Sequence, residues 1–182
     1  YSSRITKFAV LGLDEALTLV HQLCNVDPVT RKGHLHAITQ EVLGVMSARG
    51  LIHSPATVVA VKDRLNGFIN EKAHQLVAQY DRVLLQAKIE DFDGLTKRLE
   101  ANARPILDDH FSAAAQQLED TKNVSRAGDT VVGINLQADY QNMWQWVGPE
   151  IRLVVARLAK GTDAAIGVTS KAPTSKAQGL IP

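Results

Sequence analysis

The chain has 182 residues, 45% hydrophobic and 21% charged, so it can bury a core and is neither disordered nor collagen-like. Its formal charge of +1 provides no overall field that would attract nucleic acid or an anionic membrane. Cys24 is the single cysteine, which excludes an intrachain disulfide and a cysteine-rich zinc site. No apolar run approaches the roughly 20 residues that span a bilayer. Because the sequence begins at Tyr1 and not at Met, it leaves open whether another segment precedes it.

Helical periodicity dominates the first half of the chain. Apolar residues recur every three or four positions over residues 6–24, which predicts a first helix there. Asp27 followed by Pro28 is a capping residue before a proline, the signature of a helix start. Gly50 is placed where a left-handed residue would end this second helix.

A third start signal, Ser54-Pro55, predicts a long helix whose apolar stripe continues to Ala87. Asp93-Gly94 is expected to end or bend it, and a second apolar stripe follows over residues 95–118, where Pro105 would start a new helix or kink this one. Two long helices joined at Asp93-Gly94 would fold back as an antiparallel hairpin.

The pattern fails after Lys122, and residues 130–134 read as a short strand or an extended connection. Helical spacing returns over residues 136–147, breaks at Gly148-Pro149, and resumes over 149–160. This last helix is apolar on more than one side, so we expect it to be buried on all sides, within its own bundle or against another subunit.

Residues 161–182 are rich in Gly, Ala, Ser, Thr and Lys and cannot fold alone. The sequence therefore predicts an all-α fold: an elongated helical bundle over residues 1–160, with two long antiparallel helices, and an extended C-terminal arm over 161–182. An arm of that length can reach a neighbouring molecule.

Candidate catalytic and metal-binding groups are few, and each has a simpler structural explanation. His34 and His36 point to different sides of a helix and cannot share a metal ion. Cys24 lies three residues after His21, but a nucleophile would also need an orienting group and an oxyanion site. Asp108 and Asp109 point to different sides of a helix, and their negative charges would be favourable in the first turn of a helix that starts near Pro105. Dinucleotide, P-loop, nucleophile-elbow and zincin motifs are absent from the sequence, and we predict a non-enzyme without cofactors.

Both tryptophans and one tyrosine lie within residues 140–147, where core packing, an oligomer interface and a ligand platform are the alternatives. Because aromatic and large aliphatic side chains anchor interfaces, we predict intersubunit contacts by a set of residues in this region and the last helix. These are Trp144, Trp146, Ile151, Val155 and Leu158.

The chain has one regional excess of basic residues, in the last helix and the arm. It consists of Arg152, Arg157, Lys160, Lys171 and Lys176. These side chains could contact nucleic acid if they converged on one groove, although they are sparse and no aromatic residue is interleaved.

The expected function is a structural subunit of a homo- or hetero-oligomeric assembly of the virion, capsid or phage-tail type, acting through helix faces and the arm. Its partners would be copies of itself or other assembly subunits, in a virion or in the cytoplasm. Two alternatives stay open: a helical coat protein that packages nucleic acid, and an enzyme or small-molecule binder with a dispersed site. No particular family is indicated by the motifs.

Overall fold

The computed structural model describes the backbone of residues 11–169 and the side chains of residues 11–161. This part of the chain is mostly helical, as the all-α prediction requires. In chain order its elements are β1 (Leu11–Gly12), α1 (Leu13–Cys24), α2 (Pro28–Ala48), α3 (Pro55–Leu84), β2 (Ala87–Lys88), α4 (Leu95–Ser125), a short 3₁₀ helix (Gly128–Val131) and α5 (Gln137–Thr169). The two-residue strands β1 and β2 pair in parallel.

Both α2 and α3 start at the predicted prolines, Pro28 and Pro55. The Asp27 carboxylate accepts hydrogen bonds from the backbone N–H groups of Val29 (3.1 Å) and Thr30 (3.0 Å), which would otherwise lack partners at the helix start. Gly50, just after α2, has a φ of +70°, the left-handed conformation expected of it. Ser54 differs from the expectation, because its hydroxyl donates to the Leu51 carbonyl instead of capping α3.

Several predicted boundaries are wrong in the chain's second half. α3 ends at Leu84, before Asp93-Gly94, because residues 87–88 leave the helix to pair with β1. Pro105 lies inside α4, which neither stops nor restarts there. The strand or extended connection predicted at residues 130–134 is not a strand, because residues 128–131 form a 3₁₀ helix and residues 132–133 a turn.

The predicted break at Gly148-Pro149 is also absent, because α5 is continuous through Pro149. Val147 and Ile151, on either side of it, are completely buried, so packing holds the helix together where proline removes one hydrogen bond. α5 continues to Thr169, so the predicted arm does not begin at residue 161. Residues 170–182, the rest of that arm, lie outside the described residues.

The long helix α3 provides the central surface of the fold. It packs against each of the other four helices. Its buried face is apolar apart from one threonine and one tyrosine hydroxyl, and it comprises Thr57, Val58, Val61, Leu65, Phe68, Ile69, Ala73, Leu76, Val77, Tyr80, Val83 and Leu84.

Three contacts align α3 with α4. The buried Tyr80 hydroxyl shares its single hydrogen between two acceptors, the Leu99 carbonyl (3.0 Å) and Asn102 Oδ1 (2.8 Å). The rings of Phe68 and His110 meet edge to face, 5.7 Å apart. The Tyr80 contacts join the end of α3 to the start of α4, and the contact of Phe68 with His110 joins the middles of the two helices.

The remaining helices flank this pair. α1 runs along α4, since Asp14 pairs with Arg98 and the Cys24 carbonyl meets His110, and α2 follows it, since Arg31 donates to the Asp109 carbonyl. α5 also contacts both α3 and α4. In the described part of the chain, α5 makes no extended contact with α1 or α2, so it lies on another side of the α3 and α4 pair.

Replacing Tyr80 by Phe should lower the free energy of unfolding by about 1–3 kcal/mol, because Asn102 loses its donor in a buried setting. Chemical denaturation measures this loss. Val132→Ala is a suitable control, since Val132 is 70% exposed and its truncation should change stability by no more than about 0.5 kcal/mol. Equal stability of Tyr80→Phe and the wild type would show that the hydroxyl does not hold α3 to α4.

Candidate functional site

The predicted interface residues divide between the core and the surface of α5. Ile151 is completely buried and Leu158 is 5% exposed, both by packing within the chain itself. Their prediction as intersubunit contacts is therefore corrected: they are core residues of this bundle. Trp144, Trp146 and Val155 are half-buried at the edges of the same helix.

The expectation that the last helix is buried on all sides is also wrong. Leu153 is 52% exposed and Ala156 is exposed, so the side of α5 that faces away from α3 and α4 is open to solvent.

Trp146 attaches α5 to α3. Its indole stacks on the His74 ring with centroids 4.2 Å apart, and its Nε1 donates to Asn70 Oδ1 at 3.4 Å. Arg157 follows along the same side of α5 and forms an ion pair with Asp81 at 3.3 Å. This edge of α5 is therefore occupied by contacts within the chain.

Trp144 lies on the other edge of α5, beside α4. The guanidinium carbon of Arg104 is 4.7 Å from the centroid of the indole, a cation–π contact. The ring of Tyr140 meets that of Trp144 edge to face. Trp144 thus positions the guanidinium group of Arg104. Arg104 is not among the residues predicted from the sequence.

Tyr140 fixes the same edge of α5 one turn earlier. Its ring stacks on Phe111, 4.2 Å away, and its hydroxyl donates to Asp108 Oδ1. Burial, followed by the hydrogen bond to Asp108, raises the pKa of Tyr140 to about 12. The phenol therefore remains a donor throughout the neutral range.

An open groove, which we name the α4–α5 groove, follows this edge. Its volume is about 330 Å³, and its lining residues are Glu100, Arg104, Trp144, Gln145, Gly148, Pro149 and Arg152. Two guanidinium groups and one carboxylate meet in it, so it has the chemistry to bind an anion.

The predicted basic residues do not converge on one groove. Arg152 lines the α4–α5 groove, whereas Arg157 lines a different groove with Trp146 and Asp81. Lys160 is exposed at the end of the described side chains. Lys171 and Lys176 lie outside the described residues.

A second feature is a stripe of exposed residues along α5, which we name the α5 outer face. Its members follow one another at intervals of three or four positions and share one side of the helix. They are Asn142, Gln145, Pro149, Leu153, Ala156 and Lys160. Among the α5 residues whose side chains are described, 137–161, no acidic side chain is exposed, since Asp139 and Glu150 are half-buried.

The other chemically distinctive groups are buried and structural. Arg31 donates to the Asn25 side chain and to the carbonyls of Val26 and Asp109, which ties the corner between α1 and α2 to α4. Burial raises the pKa of the Cys24 thiol to about 11, so the thiolate needed for nucleophilic attack is not formed near neutral pH.

No group of three or more His, Cys, Asp or Glu side chains in the described ranges could hold a metal ion. Within the same ranges no helix is long and apolar enough to cross a membrane. The chain matches no known family model, curated protein or solved structure.

Acid should destabilise the fold through His110. This side chain is completely buried, with Nε2 3.2 Å from the Cys24 carbonyl, and Arg31, Lys72 and Asp109 are the nearby charges. Burial lowers the pKa of His110 below its ordinary 6.5. Below pH 6.5 the unfolded chain therefore takes up a proton that the folded chain does not, so stability falls as the pH falls.

The measurement is the free energy of unfolding in urea between pH 7 and pH 5, where His110 contributes at most about 1.4 kcal/mol per pH unit. His110→Gln should flatten this dependence relative to the wild type, whatever its effect on stability at pH 7. An unchanged slope in the variant would exclude His110 as its source.

Proposed function

We propose that the protein is a structural subunit of a larger assembly, in which copies of the chain associate through the α5 outer face. The observation that carries the proposal is the composition of that face. Of its six residues only Lys160 is charged, although it is exposed to solvent over about 27 Å of helix.

Depletion of charge on an exposed helix is typical of an interface core. The centres of protein interfaces contain few charged residues, whereas ordinary helix surfaces are rich in them. Leu153, 52% exposed, supplies a large apolar side chain at the middle of the face. Pro149 and Ala156 beside it are small or compact, so another helix can approach closely and cover Leu153.

A second uncharged stripe lies on α2. It consists of exposed residues at intervals of three or four positions, namely Val29, Gly33, Ala37, Gln40, Gly44 and Ala48. Because α2 and α5 lie on different sides of the α3 and α4 pair, two separate faces are open to neighbours. An assembly larger than a dimer needs two such surfaces or a rotational ring.

The use of the polar residues supports a structural role over an enzymatic one. Arg31 and Tyr80 are engaged with carbonyls and amide side chains of neighbouring helices, and the Cys24 thiol is protonated. These groups stabilise the bundle and leave little for proton transfer or nucleophilic attack.

The same contacts support the finer form of the fold prediction. With Tyr80 beside Leu99 and Phe68 beside His110, we infer an elongated bundle in which α3 and α4 run antiparallel. Such a bundle presents the outer sides of α2 and α5 along its length, where neighbouring subunits, copies of this chain or other proteins, would pack.

Leu153→Glu should weaken self-association, because it places a charge at the centre of the contact. Loss of one buried leucine is worth about 1.5–3 kcal/mol, or at least a tenfold rise in the dissociation constant. Sedimentation velocity over a range of concentrations measures the effect. Leu23→Glu is the matched control, since Leu23 is 54% exposed on α1, away from the α5 outer face.

Equal effects of the two leucine substitutions, or none from either, would contradict the proposed contact. Helical circular dichroism should be unchanged in both variants, because both leucines are surface residues. Leu158→Asp is unsuitable for this purpose, since Leu158 belongs to the core and its loss would destabilise the subunit itself.

A further inference from the structure

We propose that the α4–α5 groove binds the phosphate backbone of single-stranded nucleic acid, with Arg104 and Arg152 as the principal contacts. The groove borders the α5 outer face and shares Gln145 and Pro149 with it, whereas Arg104, Arg152 and Trp144 belong to the groove alone. This inference goes beyond the assembly role and does not depend on it.

The register of the two helices arranges cationic positions along the groove. Asp108 meets Tyr140, and Arg104 meets Trp144 one turn away. After one more turn the Glu100 carboxylate lies against Gly148.

Each of these steps is four residues on both helices. The next step places the positions of Thr96 and Lys97 on α4 opposite Arg152 on α5. Two cationic side chains, Arg104 and Arg152, therefore line the groove, and Lys97 is exposed near its end. Two carboxylates lie along the same stretch, that of Glu100 in the groove and that of Asp108, which is occupied by the Tyr140 hydroxyl.

The two arginines are available for a ligand. Elsewhere on the surface, Arg64, Arg98 and Arg157 each form an ion pair with a carboxylate. The exposed Arg49, Arg82 and Arg126 form no ion pair within residues 11–161, but they do not line this groove. Within residues 11–161, Arg104 and Arg152 form none. Both are exposed, so a bound anion would not have to displace an existing partner.

Trp144 prepares Arg104 for binding. A guanidinium held over an indole loses part of its conformational freedom in advance, and its planar fork of N–H groups suits the paired oxygens of a phosphate. Trp144 therefore acts by holding Arg104, and the expected contact is with the phosphate backbone and not with a stacked base.

The groove favours a polyanion over an acidic protein segment. It is open, it is lined by charged, amide and aromatic side chains together with Gly148 and Pro149, and it offers no aliphatic pocket for an anchoring side chain. The stretch of α4 from position 96 to position 108 is about 18 Å long. An extended chain with a regularly repeated charge can follow this length and meet each cation in turn.

The test is fluorescence anisotropy of the full chain with labelled oligothymidylate and oligouridylate of about 16 nucleotides, titrated at several KCl concentrations. We expect binding that weakens as salt rises. Changing both Arg104→Gln and Arg152→Gln should lower the affinity at least about tenfold, since each removes a charged hydrogen bond, and reduce the logarithmic salt slope by about 1.4.

The matched control changes Arg64→Gln and Arg157→Gln, which removes the same charge outside the groove. It should keep the affinity of the wild type. Leu153→Glu, which disrupts the α5 outer face, should also keep it, so that failure of the assembly proposal and failure of this one are distinguishable. Arg152→Gln alone, at an exposed position without an ion pair, repeats the test if the double variant loses helical content.

Three results would overturn the proposal. The first is no anisotropy change with the wild type at low salt. The second is an equal loss of affinity in the groove variant and its control, which would indicate binding elsewhere on the chain. The third is displacement of the oligonucleotide by polyglutamate as efficiently as by unlabelled oligonucleotide, which would assign the groove to an acidic protein partner.

Discussion

Burial of the apolar face of α3 is the constraint on which the rest of the fold depends. Every other helix packs against this face, and residues such as Val61, Leu65 and Leu76 are fully buried by those contacts. Hydrophobic burial holds the helices together without fixing their direction or register. Directional contacts do that: Tyr80 aligns α3 with α4, and Arg31 fixes the corner between α1 and α2 on α4.

Packing on α3 and α4 buries the inner sides of α2 and α5. The outer sides of these two helices therefore do not need to be buried for the chain to fold. A helix surface that contacts only water is expected to carry charged side chains. Here the two stripes are almost uncharged, and the charges of α5 are displaced to its edges, where Arg152 and Arg157 enter separate grooves. That separation of uncharged face and basic edge allows one helix to serve both subunit contact and anion binding.

The features predictable from sequence are those set by local chemistry. A cap such as Asp27 acts on the next few amides, so the start of α2 could be identified without the fold. The break predicted at Pro149 is wrong because packing against distant residues keeps α5 continuous through this proline.

The candidate site could be predicted from the sequence only in part. Trp144 is conspicuous in composition, but Arg104 lies forty positions away, and only the register of α4 against α5 joins them. Burial of Ile151 and Leu158 likewise depends on that packing.

The central claim, that this chain functions by associating with neighbours, is tested most directly by the absolute mass of the wild-type protein in solution. Static light scattering across a range of protein concentrations and salt gives that mass without reference to shape. We expect a mass that is a multiple of 19.8 kDa and rises with concentration. A constant mass of 19.8 kDa under all conditions would contradict the claim.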